Sequence, residues 1–135
     1  MKEVKVTIDR ESVLAGVQMI TANAAAQRGD ALHVATDDNG ELLEGFYDEV
    51  LRELIALLSK YAKEGDGLVF SLPDNWDAEL THTLSKGVND AVLFGVLAKW
   101  YSLAGESIYG SMFEGSIEEI VEVLNKRVKP VRNGR

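Results

Sequence analysis

The stretch that decides the fold is residues 40–63, GELLEGFYDEVLRELIALLSKYAK. Its apolar residues recur at intervals of three and four, which places them along one side of an α-helix. Acidic residues stand near its start and lysines near its end, and both complement the helix dipole. Residues 37–40, Asp-Asp-Asn-Gly, are typical of a turn and helix cap. The sequence therefore predicts a long amphipathic helix over 40–63.

Three more helices are predicted outward from this one, over about 10–27, 76–103 and 107–128. Asp9 is expected to cap the first, Gly105 to separate the last two, and Pro130 to prevent any continuation. Alternating apolar residues predict a short strand or arm over 4–8, and the run at 68–72 predicts a short extended segment. The expected fold class is mainly α: a four-helix domain, residues 1–128, followed by a basic C-terminal tail, residues 129–135.

The predicted core joins the second and third helices. Six central positions of their apolar stripes are expected to be buried together: Leu51, Leu54, Leu58, Leu84, Val88 and Val92. Small residues along the third helix would let another helix approach closely: Gly87, Ala91, Gly95 and Ala98.

Length and composition fit one folded domain. The 135 residues are enough for one hydrophobic core. No cysteine is present, which excludes disulfides and thiolate metal sites and is compatible with a reducing compartment. The N-terminus lacks the apolar run of a signal peptide, and the longest nearly uncharged stretch, 91–98, is too short to span a bilayer. We therefore expect no contact with a membrane.

No motif in the sequence predicts catalysis, metal binding or a cofactor. The two histidines, His33 and His82, do not stand at a spacing that pairs them as metal ligands, and structural or surface roles are expected. Residues 37–48 lack the glycine and glutamate that a calcium-binding loop needs at its sixth and twelfth positions. Four glutamates on the fourth helix are interpreted as a solvated face: Glu114, Glu118, Glu119 and Glu122.

Aromatic residues concentrate in the C-terminal half. At helical spacing such residues are usually core, but tryptophan and tyrosine are also enriched at protein interfaces. Both roles stay open at this point. The candidates for a subunit interface are Trp76, Trp100, Tyr101, Tyr109 and Phe113.

Charge divides the chain into an acidic body and a basic end. The last ten residues carry five cations and no acid, Lys126, Arg127, Lys129, Arg132 and Arg135. Since the whole chain carries −8 and this end +5, residues 1–125 carry −13. The cations would suit a helix C-terminus and solubility, or they would bind an acidic protein surface. Stable or sequence-specific nucleic-acid binding is not expected from so acidic a body.

Three segments resemble phage and prophage head–tail connector (neck adaptor) proteins. Residues 37–43 with the helix that follows resemble the family's opening, in which an acidic turn precedes a helix ending near an aromatic residue, here Tyr61. Residues 91–101 are similar to an apolar helix that closes in a His-Trp-Tyr-like signature, with Lys99 where histidine is common. Residues 125–132 resemble the basic, proline-containing close of related prophage neck proteins.

The resemblance covers roughly residues 37–132 and implies a structural virion protein. Such a protein forms a homo-oligomeric ring between portal and tail proteins, with DNA passing through its channel. It would be produced in the bacterial host cytoplasm and located at the virion neck. The family's chain end commonly docks on the portal, a role that would fall here on Lys126, Arg127, Lys129, Pro130, Arg132 and Arg135.

Two other classes of function compete with this one. The first is a helical protein-interaction or regulatory module outside any virion. The second is a small enzyme, for which no nucleophile, base or metal set can be named from the sequence. A closed ring of more than two subunits would favour the connector, and a monomer with a deep polar pocket would favour the enzyme.

Overall fold

The computed structural model describes residues 2–28 and 33–125, and the mainly helical class is confirmed. An N-terminal strand, β1, is followed by two helices, a β-hairpin and two more helices. The elements, in order, are β1 (Lys2–Val6), α1 (Arg10–Arg28), α2 (Gly40–Leu57), β2 (Ala62–Gly65), β3 (Gly67–Leu72), α3 (Leu80–Ser102) and α4 (Gly110–Asn125). The predicted helix end at 128 and the basic tail lie outside the described residues.

The longest helix, α3, is the centre of the molecule. It packs against α1, α2 and α4, and nine of its residues are buried. A Cβ atom added to Gly95 would lie 2.5 Å from Cγ1 of Val50 on α2 and 3.0 Å from the ring of Phe113 on α4. One added to Gly87 would lie 3.1 Å from Ile120. The predicted close approach of other helices to small residues is therefore confirmed at both glycines.

The small sheet is antiparallel, with β3 between β1 and β2. Leu68, Phe70 and Leu72 of β3 are buried, while Val69 and Ser71 alternate on the outer face. Gly67 has a φ of 98° at the hairpin turn, and a Cβ there would lie 2.3 Å from the carbonyl oxygen of Val6. Glycine is thus required at this turn for two reasons: conformation and space.

The prediction that one helix covers 40–63 is wrong beyond residue 57. After Leu58 the chain turns, and the carbonyl oxygen of Tyr61 accepts a hydrogen bond of 3.0 Å from the amide of Ser71. Pairing with β3 begins there, so Tyr61 does not end a helix. The apolar spacing typical of a helix continues past Leu58. A local sequence pattern does not show that these residues will pair with β3, a strand formed later in the chain.

The other predicted boundaries hold more closely. Asp9 caps α1, since its side chain accepts a 3.1 Å hydrogen bond from the amide of Ser12. Thr36 and Asn39 form a capping box around a 3-10 turn, Asp37–Asn39, that leads into α2. The helices α3 and α4 begin at Leu80 and Gly110, a few residues later than predicted, because turns occupy the residues before them.

The predicted core is largely confirmed. Leu54, Leu58, Leu84, Val88 and Val92 are all fully buried in one cluster. Leu51 is partly buried and packs against that cluster. The apolar stripes of α2 and α3 therefore face each other as the sequence indicates.

We predict opposite effects for two glycine-to-alanine substitutions. Gly95→Ala should destabilise the fold by about 1–3 kcal/mol, because its methyl group overpacks a junction of three helices. Gly45→Ala, on α2 with nothing near its Cβ position, should stabilise by about 0.5–1 kcal/mol through helix propensity. Urea unfolding of both variants checks this, and a Gly95→Ala protein as stable as Gly45→Ala would contradict the junction.

Candidate functional site

The most distinctive part of the molecule is the corner where the chain passes from α3 to α4. Gly105, with a φ of 76°, ends α3. The amide of Gly105 donates to the carbonyl of Ser102 (3.0 Å), and that of Glu106 to the carbonyl of Tyr101 (3.2 Å). This pair of bonds is the Schellman pattern that satisfies the last carbonyls of a helix. Gly105 therefore ends the helix, as the sequence predicts.

Tyr109, immediately before α4, has an unusual backbone. Its φ is 69°, the only positive value at a non-glycine residue in the part of the chain that the structure describes. Its carbonyl accepts the amide of Phe113 at 2.9 Å, which starts α4. Its ring stacks on Tyr101 and Phe94, with centroids 5.7 and 6.2 Å away. A left-handed conformation costs about 1–2 kcal/mol in an L-residue, so these contacts must hold it.

Exposed apolar side chains surround this corner. Leu57 at the end of α2 is 57% exposed, Leu103 is 61% and Met112 is 47%. Large apolar side chains are usually buried, so three at one end of a small domain form a candidate contact surface. We define the corner surface by its six apolar members, Leu57, Leu103, Ile108, Met112, Phe113 and Ile117.

Two open grooves run through the corner surface and share Ser107 and Ser111. The first groove, of about 710 Å³, lies between Leu57 and the first half of α4 and is lined also by Phe113, Ile117 and two acids. The second groove, of about 510 Å³, lies between Ala24 and Gln27 of α1 and residues 107–112. Both are open apolar depressions with polar rims, a shape that suits a protein segment better than an enclosed small molecule.

One polar pair lies beside the corner surface. His33 Nδ1 is 3.7 Å from Glu106 Oε2, and the indole of Trp100 donates a 2.7 Å hydrogen bond to the carbonyl of His33. Glu106 Oε2 is buried without a hydrogen-bond partner in the described structure. The pair links the residues before α2 to the corner, and so ties two connections together.

The structure brings together only some of the residues predicted for a subunit interface. Trp100, Tyr101, Tyr109 and Phe113 lie at the corner end of α3, where the tyrosines stack. Trp76 lies near the other end, with its indole donating to Thr81, nineteen residues and about 28 Å along the helix from Trp100.

Burial separates these aromatic residues into two groups. Trp76, Trp100 and Tyr101 are buried within the single chain, whereas Tyr109 and Phe113 are half-buried and line the grooves. The core role is therefore confirmed for the first three. The interface role stays a prediction, and only Tyr109 and Phe113 present surface for it.

Other predicted site residues lie elsewhere. The four glutamates of α4 are exposed, which confirms the solvated face, and α4 carries no basic residue. His82 is exposed on α3. Within residues 2–28 and 33–125, no three histidine, aspartate or glutamate side chains converge as a metal site. The docking residues assigned to 126–135 lie outside the described residues.

Sequence reasoning missed the exposed members of the corner surface. None of Leu57, Leu103 and Met112 is among the candidate site residues that the sequence indicates. Leu103 stands two residues before Gly105, and an apolar residue beside a helix-ending glycine was the one available signal. The strained Tyr109 had no sequence signal, because asparagine or glycine is expected at a positive φ.

Comparison with known proteins adds no relative. The chain matches no protein-family model, no curated protein and no solved structure. Among the helices described, none is long and apolar enough to cross a membrane.

We predict that Tyr109→Gly is more stable than Tyr109→Ala by about 1 kcal/mol. Both substitutions remove the stacked ring, but only glycine adopts the positive φ without strain. Guanidinium unfolding of the two variants measures the difference. An alanine variant equal to or more stable than the glycine variant would show that the backbone at Tyr109 is not strained.

Proposed function

We propose that this protein is a structural assembly protein, a head–tail connector that forms a homo-oligomeric ring between the portal and tail of a phage. The observation that carries an assembly role is the corner surface, where exposed Leu57 lines one open groove, exposed Met112 lines the other, and Leu103 is exposed just after α3. Exposing such residues to water is unfavourable unless another surface covers them. The resemblance of residues 37–43, 91–101 and 125–132 to connector proteins supplies the more specific part of the proposal.

The charge distribution supports a channel for DNA. Exposed carboxylates outside the first groove occupy the outer faces of two helices: Glu41, Glu44, Asp48, Glu49 and Glu53 on α2, and Glu119 and Glu122 on α4. Three of those on α2 have partners, as Arg10 lies 2.9 Å from Glu44 and 3.5 Å from Asp48, and Lys99 lies 3.1 Å from Glu53. An acidic lining would repel phosphates and let a duplex slide, whereas a basic one would hold it.

The corner surface also suits subunit contacts in a ring. It lies at the C-terminal end of α3, where Leu57, Leu103 and Met112 are exposed. A contact between two different surfaces of neighbouring copies is heterologous, and such contacts generate closed rings when the rotation closes. The proposal assigns the protein no catalytic role and no cofactor.

The basic tail supplies a second contact in this proposal. Its five cations, with Val128 and Val131 between them, would bind an acidic protein surface by charge-assisted hydrogen bonds and apolar packing. The resemblance names the portal as that surface. The virion neck is the corresponding location.

The first test is the mass of the native assembly. We expect the full chain to form a closed oligomer of more than two subunits in native mass spectrometry. Leu103→Ser with Met112→Ser should break it into monomers, while changing the stability of the monomer by only about 0.5 kcal/mol per exposed site.

The matched control is Met19→Ser on α1, since Met19 is 62% exposed, about as much as Leu103, and lies outside the corner surface. It should leave the oligomer intact. A full-length protein that stays monomeric or dimeric would reject the ring and favour the interaction module outside a virion. A corner variant that assembles like the control would remove the corner surface from the contact.

A second test concerns the tail. Deleting residues 129–135 should leave the circular dichroism spectrum and the melting temperature unchanged, because all of the described core residues lie at or before Leu124. Assembly of the protein with the portal should weaken, since the deletion removes three of the five cations. A truncated protein that assembles with unchanged affinity would show that the tail serves only solubility.

A further inference from the structure

The first groove has a chemical character that the rest of the corner surface lacks. Its walls are apolar, formed by Leu57, Phe113 and Ile117. Its rim carries two carboxylates, Glu114 and Glu118, and none of its described lining residues is basic. The two glutamates stand four residues apart on α4, so they lie on the same side of the helix about 6 Å from each other. A ligand for this groove needs apolar groups together with cations.

One segment of this chain meets that requirement. Residues 126–135 contain five cations and no acid, with apolar residues at Val128, Pro130 and Val131. The segment follows directly after α4, whose described part ends at Asn125. Arginine pairs bidentately with carboxylate, so Arg127 or Arg132 can recognise a rim glutamate while a valine contacts the groove wall.

Geometry favours the groove of a second copy over the chain's own groove. The first groove lies along the first half of α4, and the helix then runs on for about 10 Å from Glu118 to Asn125. Because the groove lies along the part of α4 that precedes Asn125, a segment that starts after Asn125 would have to run back along the helix to reach its own groove. Ten extended residues reach at most about 33–36 Å, which is ample to enter an adjacent copy without a reversal.

We propose that the first groove binds the basic tail, residues 126–135, of a neighbouring copy of this chain. This inference rests on the proposed function and deepens it, because it assigns the tail a docking surface within the ring in place of the portal that the resemblance implies. A tail in one copy and a groove in the next form a heterologous contact, the kind that propagates around a ring. It also explains why Leu57 is exposed in the single chain: its partner belongs to another subunit.

The test uses chemical cross-linking of full-length chains. Because the sequence has no cysteine, only the introduced thiols react with the cross-linker. One chain carries Leu57→Cys in the groove wall, and the other carries Val131→Cys in the tail. A short bis-maleimide should link the mixed chains at least about tenfold faster than it links Met19→Cys with Val131→Cys, because docking raises the local concentration. Met19 is the matched control, since it is as exposed as Leu57 but outside the grooves.

A pair of charge reversals tests the chemistry of the contact. Glu118→Lys in the groove chain should slow cross-linking to the rate of the control. Glu119→Lys, which changes the net charge equally at the next residue but outside the first groove, should leave the rate unchanged. Equal slowing by both variants would overturn the groove contact in favour of a general charge effect.

Two further results would overturn the inference, and both leave the ring testable. Cross-linking no faster than the Met19 control would show that the tail docks elsewhere, as on a portal or on DNA. A chain with both cysteines that links only to itself on dilution would show that the tail occupies its own groove. Native mass spectrometry before cross-linking separates the ring proposal from the tail proposal. An intact oligomer without the cross-link refutes only the tail contact. A cross-link between chains that form no ring refutes only the ring.

Discussion

The close approach of α2 and α4 to α3 at Gly95 is the constraint on which the rest of the structure depends. A single Cβ atom at that position would overlap Val50 and press on Phe113, so the three helices meet there only because glycine has no side chain. The position of Phe113 against Gly95 then fixes the first half of α4. That half carries Met112, Glu114, Ile117 and Glu118, the residues that border the grooves. The packing of one glycine thus determines where the candidate contact surface lies.

The arrangement of the helices around Gly95 requires an unfavourable backbone conformation at the corner between α3 and α4. Gly105 reverses the chain without strain, but Tyr109 must adopt a positive φ to start α4 in the required direction. Its ring compensates by stacking on Tyr101 and Phe94, which belong to α3 itself. The same corner leaves Leu103 and Met112 in water. Strained backbone is more often found at functional positions than elsewhere, and the proposed assembly would cover the exposed apolar side chains beside it.

The sequence predicts those parts of the fold that repeat with a helical period. The spacing of apolar residues correctly predicts five buried core positions: Leu54, Leu58, Leu84, Val88 and Val92. Residue type correctly predicts that Asp9 caps the start of α1 and that Gly105 ends α3. Strand β2 is not predictable in this way, because Ala62–Gly65 is polar and becomes a strand only by pairing with β3. The exposure of Leu57 is not predictable from the sequence for a related reason. It continues the apolar stripe of α2, but the chain turns away after Leu58 and leaves it uncovered.

The residues of the candidate site also divide into those that the sequence predicts and those that depend on tertiary packing. Its aromatic members were identifiable from their concentration in the C-terminal half, whereas its exposed members depend on how helices distant in sequence end near one another. The central claim is that the corner surface is covered by another protein surface when the chain assembles. Hydrogen exchange of the full-length protein, compared between dilute and concentrated solutions, tests it most directly. The account predicts slower exchange on assembly at residues 103–118, with no change in the hairpin at residues 62–72. Protection confined to the hairpin, with the corner unchanged, would contradict it.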